Sequence, residues 1–168
     1  MATTRTPMSA PVRRAAFVLL AVAGVTLSPL PASANSGPTT TAVAAAPAAA
    51  PTRAAQIAVN TALAQQGKPY VWGGAGPDSY DCSGLTQYAY AAAGISLPHS
   101  SSMQSRVGTP VALNNLQPGD LLFFYSPVGH VGMYIGNGQM VHASTYGQPV
   151  KVVDLAYMPG YNSARRLG

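Results

Sequence analysis

Apolar and small residues recur at Ala54, Ile57, Ala58, Thr61 and Ala62, a period that predicts a helix over residues 53–67 ending at Gly67. "KPYVWGGAGPDSYD" follows as a loop broken by Gly-Gly and Gly-Pro. A second helix is predicted over 82–94, where Leu85, Tyr88, Ala89 and Ala92 share a face and Gly94 ends it. Beyond "LPHSSSMQ" the period shortens to strand-like runs at 120–125, 130–136, 139–144 and 149–155, separated by Ser-Pro, Asn-Gly and Tyr-Gly turns. Asn137-Gly138 between two such runs is a strong two-residue hairpin signal. Helices first and an antiparallel meander second make an α+β domain.

The first 52 residues follow a different pattern. Arg5, Arg13 and Arg14 precede the apolar run "AAFVLLAVAGVTL", which is too short to span a bilayer comfortably, and "ASA" at 32–34 fits a small-x-small cleavage site. Residues 1–34 are therefore expected to be a secretory signal peptide, by the general export route rather than the twin-arginine one. Residues 35–52, uncharged and rich in Ala, Pro and Thr, read as an extended linker. That leaves 53–168 as one domain, large enough for one core. Three of the nine Lys and Arg fall in residues 1–34, so six remain against four Asp, about +2. With no clustered basic face, a nucleic-acid partner is not expected.

Chemistry narrows to the single cysteine, Cys82 in "DCSG", and three histidines, His99, His130 and His142. Three readings of the thiol compete: a small buried apolar filler, a metal ligand, or a nucleophile. Cys82 falls at the start of the second helix, where free N–H groups and the helix dipole are expected to lower its pKa and to face an oxyanion. Zinc held by Cys82, His99, His130 and His142 lacks the short paired spacings of structural zinc sites. His130 is the candidate base. An ideal hairpin around Asn137-Gly138 pairs residue i with 275 − i, which sets His142 opposite Met133, three positions out of register with His130. That offset, about 10 Å along the strands, is too long for contact unless a bulge or a longer loop intervenes. His99 is expected to be an ordinary exposed loop histidine.

"PYVWGGAGPDSYDCSGLTQYAYAAAGISLPHSSSMQ", "LQPGDLLFF" and "GHVGMYIGNGQMVHAS", in this order, resemble the NlpC/P60 family of cell-wall cysteine peptidases, and the small secreted actinobacterial endopeptidases in particular. The resemblance covers almost all of 53–168. It implies a papain-like core, with N-terminal helices, one bearing the cysteine, packed on an antiparallel sheet bearing the histidines. By position it implies Cys82 as nucleophile, His130 as general base and His142 as the residue that orients the base. Tyr70 matches a tyrosine beside the oxyanion, and Asp81 and Ser83 match positions that contact substrate.

The implied reaction is hydrolysis of peptidoglycan stem peptides at the D-γ-glutamyl–diaminopimelate bond through a thioester, without metal or cofactor. The implied setting is secreted or wall-associated, as a monomer with no stable membrane insertion once the signal peptide is removed. A non-catalytic peptidoglycan-binding module and an N-acetylmuramoyl-L-alanine amidase are the alternatives.

Overall fold

The computed structural model describes residues 50–168. The expected signal peptide and nearly all of the linker lie outside the described residues. Helix α1, Arg53–Leu63, starts at Thr52, whose hydroxyl accepts from the Ala55 N–H at 3.1 Å. It buries Ala55, Ala58, Val59 and Ala62, small side chains that allow close packing on helix α2, Cys82–Ala91. Both helices are shorter than the periodicity suggests, because 64–67 and 92–94 close as turns ahead of Gly67 and Gly94, both at positive φ. A one-turn helix α3, Ser101–Gln104, capped by Ser100, follows the second helix.

Six strands form one antiparallel sheet: β1 Thr109–Val111, β2 Leu121–Phe124, β3 His130–Gly136, β4 Gln139–His142, β5 Lys151–Asp154 and β6 Tyr161–Arg166. Their order is β1-β6-β2-β3-β4-β5, so a meander from β2 to β5 is completed when the chain returns to place β6 beside β2. Strands β1 and β6 carry no apolar alternation. Within β6 only Ala164 is buried, which is why sequence periodicity misses it.

Leu121, Phe123, Val131, Met133 and Val141 face the helices in the main core with Leu85, Ala89 and Tyr90. Leu122, Phe124, Met140 and Ala164 form a second cluster on the other face. β2 is thus buried on both sides, as its unbroken run "LLFF" requires.

Two polar fastenings hold this frame. Asp120, 1% exposed, takes Arg166 Nε at 2.8 Å and Nη2 at 2.7 Å, one bond to each carboxylate oxygen, and so anchors the end of β6. Gln104, fully buried, donates to the carbonyls of Ser83 and Pro98 and accepts from the Thr86 hydroxyl at 2.7 Å, tying the 98–104 segment to α2.

Gly84 sits so close to the preceding loop that an added Cβ would lie 1.9 Å from the Gly74 carbonyl oxygen. Replacing Gly84 with Ala is expected to cost at least ~3 kcal/mol, because backbone rather than a yielding side chain stands in the way. Denaturant unfolding of the variant measures this directly. Arg166→Ala strands the buried Asp120 carboxylate, and a loss of about 3 kcal/mol in the same measurement is expected.

Candidate active site

Asp81 ends the loop in extended conformation and caps α2. One carboxylate oxygen accepts from the Gly84 N–H at 2.7 Å and the Ser83 hydroxyl at 3.1 Å, while the other accepts from the Gly73 N–H at 2.9 Å. His99 Nε2 approaches both oxygens, at 3.0 and 2.9 Å. His99 is an exposed loop histidine, as the sequence suggests, but it is also engaged: its side chain, 30% exposed, is bound to Asp81. Buried Gln104, donating to the Pro98 carbonyl at 2.8 Å, holds the segment that carries His99. These hydrogen bonds hold the Asp81 carboxyl below its ordinary range despite burial.

The next residue, Cys82, is a free, partly buried thiol. Its pKa is raised, which corrects the expectation of a lowered one. Burial is the largest cause, and the Asp81 carboxylate adds to it. The backbone N–H groups of Val131, Ser83 and Cys82 act in the opposite direction without prevailing. The helix start does favour the thiolate, then, but the anion that caps the helix and the loss of solvent outweigh it.

The two histidines meet because β3 bulges. Gly136 pairs with Gln139 as the hairpin predicts, yet Tyr134 pairs with Met140 and Met133 with Val141, so Ile135 is the extra residue. Continuing this register sets His142 opposite Gly132 instead of Met133. An odd offset from His130 becomes an even one. Both imidazoles then leave the same face as diagonal neighbours, within reach of each other. His130 Nε2 lies 3.0 Å from His142 Nδ1, with the rings edge-on at 76°. Both histidines are buried and each pKa is lowered to about 4, by burial for His130 and by burial together with the facing imidazole and Lys151 for His142.

Cys82 and the imidazole pair line two cavities that meet at Gly129. One, about 260 Å³, is bounded by Cys82, Asp81, Ser83, His99, Ser100 and the exposed Trp72. The other, about 370 Å³, is bounded by His130, His142, Ser144, Lys151, Tyr125 and Met158. Tyr70 and Cys82 both pack against the main core, and Tyr70 lies edge-on against Tyr146 with ring centres 5.2 Å apart. Burial raises its pKa, and the nearby Cys82 and Asp81 charges raise it further. Among the described residues, no three His, Cys, Asp or Glu side chains converge in a way that could hold a metal ion.

The site therefore combines a thiol at a helix start, a buried imidazole pair and a cleft running past both. Residues 67–163 match the NlpC/P60 family. A probable endopeptidase of Mycobacterium tuberculosis is 56% identical over 108 residues, 64% of this chain but 28% of the relative. One from Corynebacterium glutamicum is 45% identical over 121 residues, 72% of this chain and 56% of the relative. The chain thus spans between about a quarter and a little over half of these relatives' length. Among solved structures, an NlpC/P60 family protein from Bacillus cereus superposes with a TM-score of 0.65 at 40% identity, covering 69% of this chain and 41% of that one. The NlpC/p60 domain of the peptidoglycan hydrolase SagA superposes with a TM-score of 0.63 at 34% identity, covering 67% of this chain and 98% of that one. With a matching family region over more than half its length and the same helix-on-sheet frame, the chain belongs to the NlpC/P60 family.

Proposed function

We propose that this domain is a cysteine peptidase that hydrolyses peptidoglycan stem peptides, at the D-γ-glutamyl–diaminopimelate bond, with Cys82 as nucleophile, His130 as base and His142 as its orienting partner. The observation that carries this reading is the 3.0 Å His130–His142 hydrogen bond, placed on β3 immediately before Val131, whose backbone N–H favours the Cys82 thiolate. The hydrolase and endopeptidase names of the relatives agree with it. The signal sequence and the secreted, wall-associated setting remain part of the same proposal, resting on residues 1–34.

With the thiol raised and His130 lowered, the resting pair is a neutral thiol and a neutral imidazole. His130 holds its Nε2 on His142, which leaves Nδ1 to accept the thiol proton. An Nδ1 free to accept means that the resting His130 carries its hydrogen on Nε2 and donates it, so His142 Nδ1 is the acceptor and His142 carries its own proton on Nε2. That Nε2 is buried with no hydrogen-bond partner among the described residues.

As the proton leaves, the sulfur attacks the γ-glutamyl carbonyl. The oxyanion turns to the Cys82 N–H and to Tyr70. His130 returns the proton to the departing amine, and water activated by the same imidazole then hydrolyses the thioester. Asp81 and Ser83 border the acyl side of this cleft, where a stem peptide would lie against them. No step requires a metal or cofactor.

Mass spectrometry of diaminopimelate-type peptidoglycan treated with residues 53–168 tests the reading. A new γ-D-glutamyl terminus, lost with Cys82→Ala by at least about 10³-fold in rate, is the expected product. Free L-alanyl termini would mark an amidase instead, and no product would leave a binding module.

Acid should weaken the fold before it charges the site. An unfolded histidine takes a proton near its ordinary value of 6.5, whereas His130 and His142 stay neutral until about 4. Between pH 6.5 and the ordinary thiol value of 9.0, these histidines leave stability flat, and it is expected to fall on acidification from 6.5 to 4, with up to roughly two protons taken up on unfolding. The Asp81 contribution is lost only below the ordinary carboxyl value of 3.8, outside that window. Denaturant unfolding at stepped pH checks this, and His142→Asn should remove about half of the slope.

A further inference from the structure

Lys151 is directly opposite His142 in the β4–β5 pairing. His142 in turn lies diagonal to His130 across β3–β4, so His130, His142 and Lys151 form a row over three adjacent strands on one face. All three border the cavity of about 370 Å³. Among the described residues no carboxylate lines that cavity, and the Lys151 ammonium is held by the neutral Gln148 Oε1 alone, at 2.9 Å. The described ion pairs, His99–Asp81 and Arg166–Asp120, lie elsewhere. An uncompensated cation facing the residue that orients the base works against catalysis, since it disfavours charge on the imidazole pair. An anion delivered with the substrate would cancel that effect at the moment the base must accept a proton.

The direction of the proposed reaction says which part of the substrate brings the anion. The acyl carbon bonds to Cys82, which lines the other cavity, whereas the amine leaves with a proton from His130. The leaving fragment must therefore occupy the His130 side of Gly129. We propose that Lys151 forms a carboxylate-binding subsite for the leaving fragment, so that the enzyme selects substrates whose amine-side residue carries a free carboxylate. This rests on the peptidase reading above and names the substrate feature recognised at that same site.

The test uses two synthetic stem peptides, L-Ala-γ-D-Glu-diaminopimelate and its counterpart with the diaminopimelate carboxylates converted to carboxamides. Wild type, Lys151→Met and Lys151→Arg are compared on both by kcat/KM. Wild type is expected to favour the carboxylate peptide about tenfold, the size of one charge-assisted hydrogen bond. Lys151→Met should lose that factor, while its activity on the carboxamide does not fall below the wild-type level, because no substrate anion offsets the ammonium there, and this also shows that the variant is folded. Lys151→Arg should keep most of the preference. Equal loss on both peptides, or no change on either, overturns the subsite while leaving the peptidase reading intact. If wild type cleaves neither peptide, the peptidase reading itself fails and the subsite with it.

Discussion

The carboxylate of Asp81 is the point on which the site depends. It receives backbone N–H groups from both sides of the cysteine's neighbourhood, Gly73 in the loop and Gly84 in the helix, together with the Ser83 hydroxyl and the His99 imidazole. Three segments distant in sequence are thereby fixed around one side chain: the glycine loop, the start of α2 and the segment before α3. The close approach of Gly84 to the Gly74 carbonyl is the steric counterpart of the same joint. Satisfying so many donors within a partly closed site makes the anion stable there, and it fixes the orientation of the residue that follows it.

That arrangement has an electrostatic cost for the thiol, because a fixed anion one residue away opposes a second one. The imidazole pair is drier still, and burial sets the two halves of the reaction on the neutral side of their proton transfer. In the reaction proposed above, proton movement and sulfur attack are then coupled, with charge appearing only as the substrate carbonyl accepts it. The proposed oxyanion donors would act on that transient charge rather than on a resting ion pair.

Much of this was legible in the chain. The helix bearing Cys82 and the strand 130–136 emerge from periodicity alone, the strand with its full extent, because each carries a regular apolar pattern against the main core. Strand β6 was not legible, since its attachment comes from the Asp120–Arg166 pair and from backbone pairing, neither of which leaves an apolar signature. The role of His99 was hidden for a similar reason: it depends on Gln104, whose polar side chain is fully buried. The thiol's pKa was misjudged because the helix dipole can be inferred from position, whereas burial and the orientation of Asp81 require the fold. For the two histidines, local rules identified the obstacle and named a bulge as one remedy, but the turn residues are the same with or without one.

That bulge makes the geometry of the hairpin a matter of parity. One extra residue at Ile135 exchanges inside for outside along the rest of the pairing, so no gradual series of side-chain replacements connects the two arrangements. A lineage could reach the facing histidines only by a change in strand length, in a single step. Thereafter both hairpin arms must lengthen or shorten together, so their lengths are constrained more tightly than most of the residues they contain.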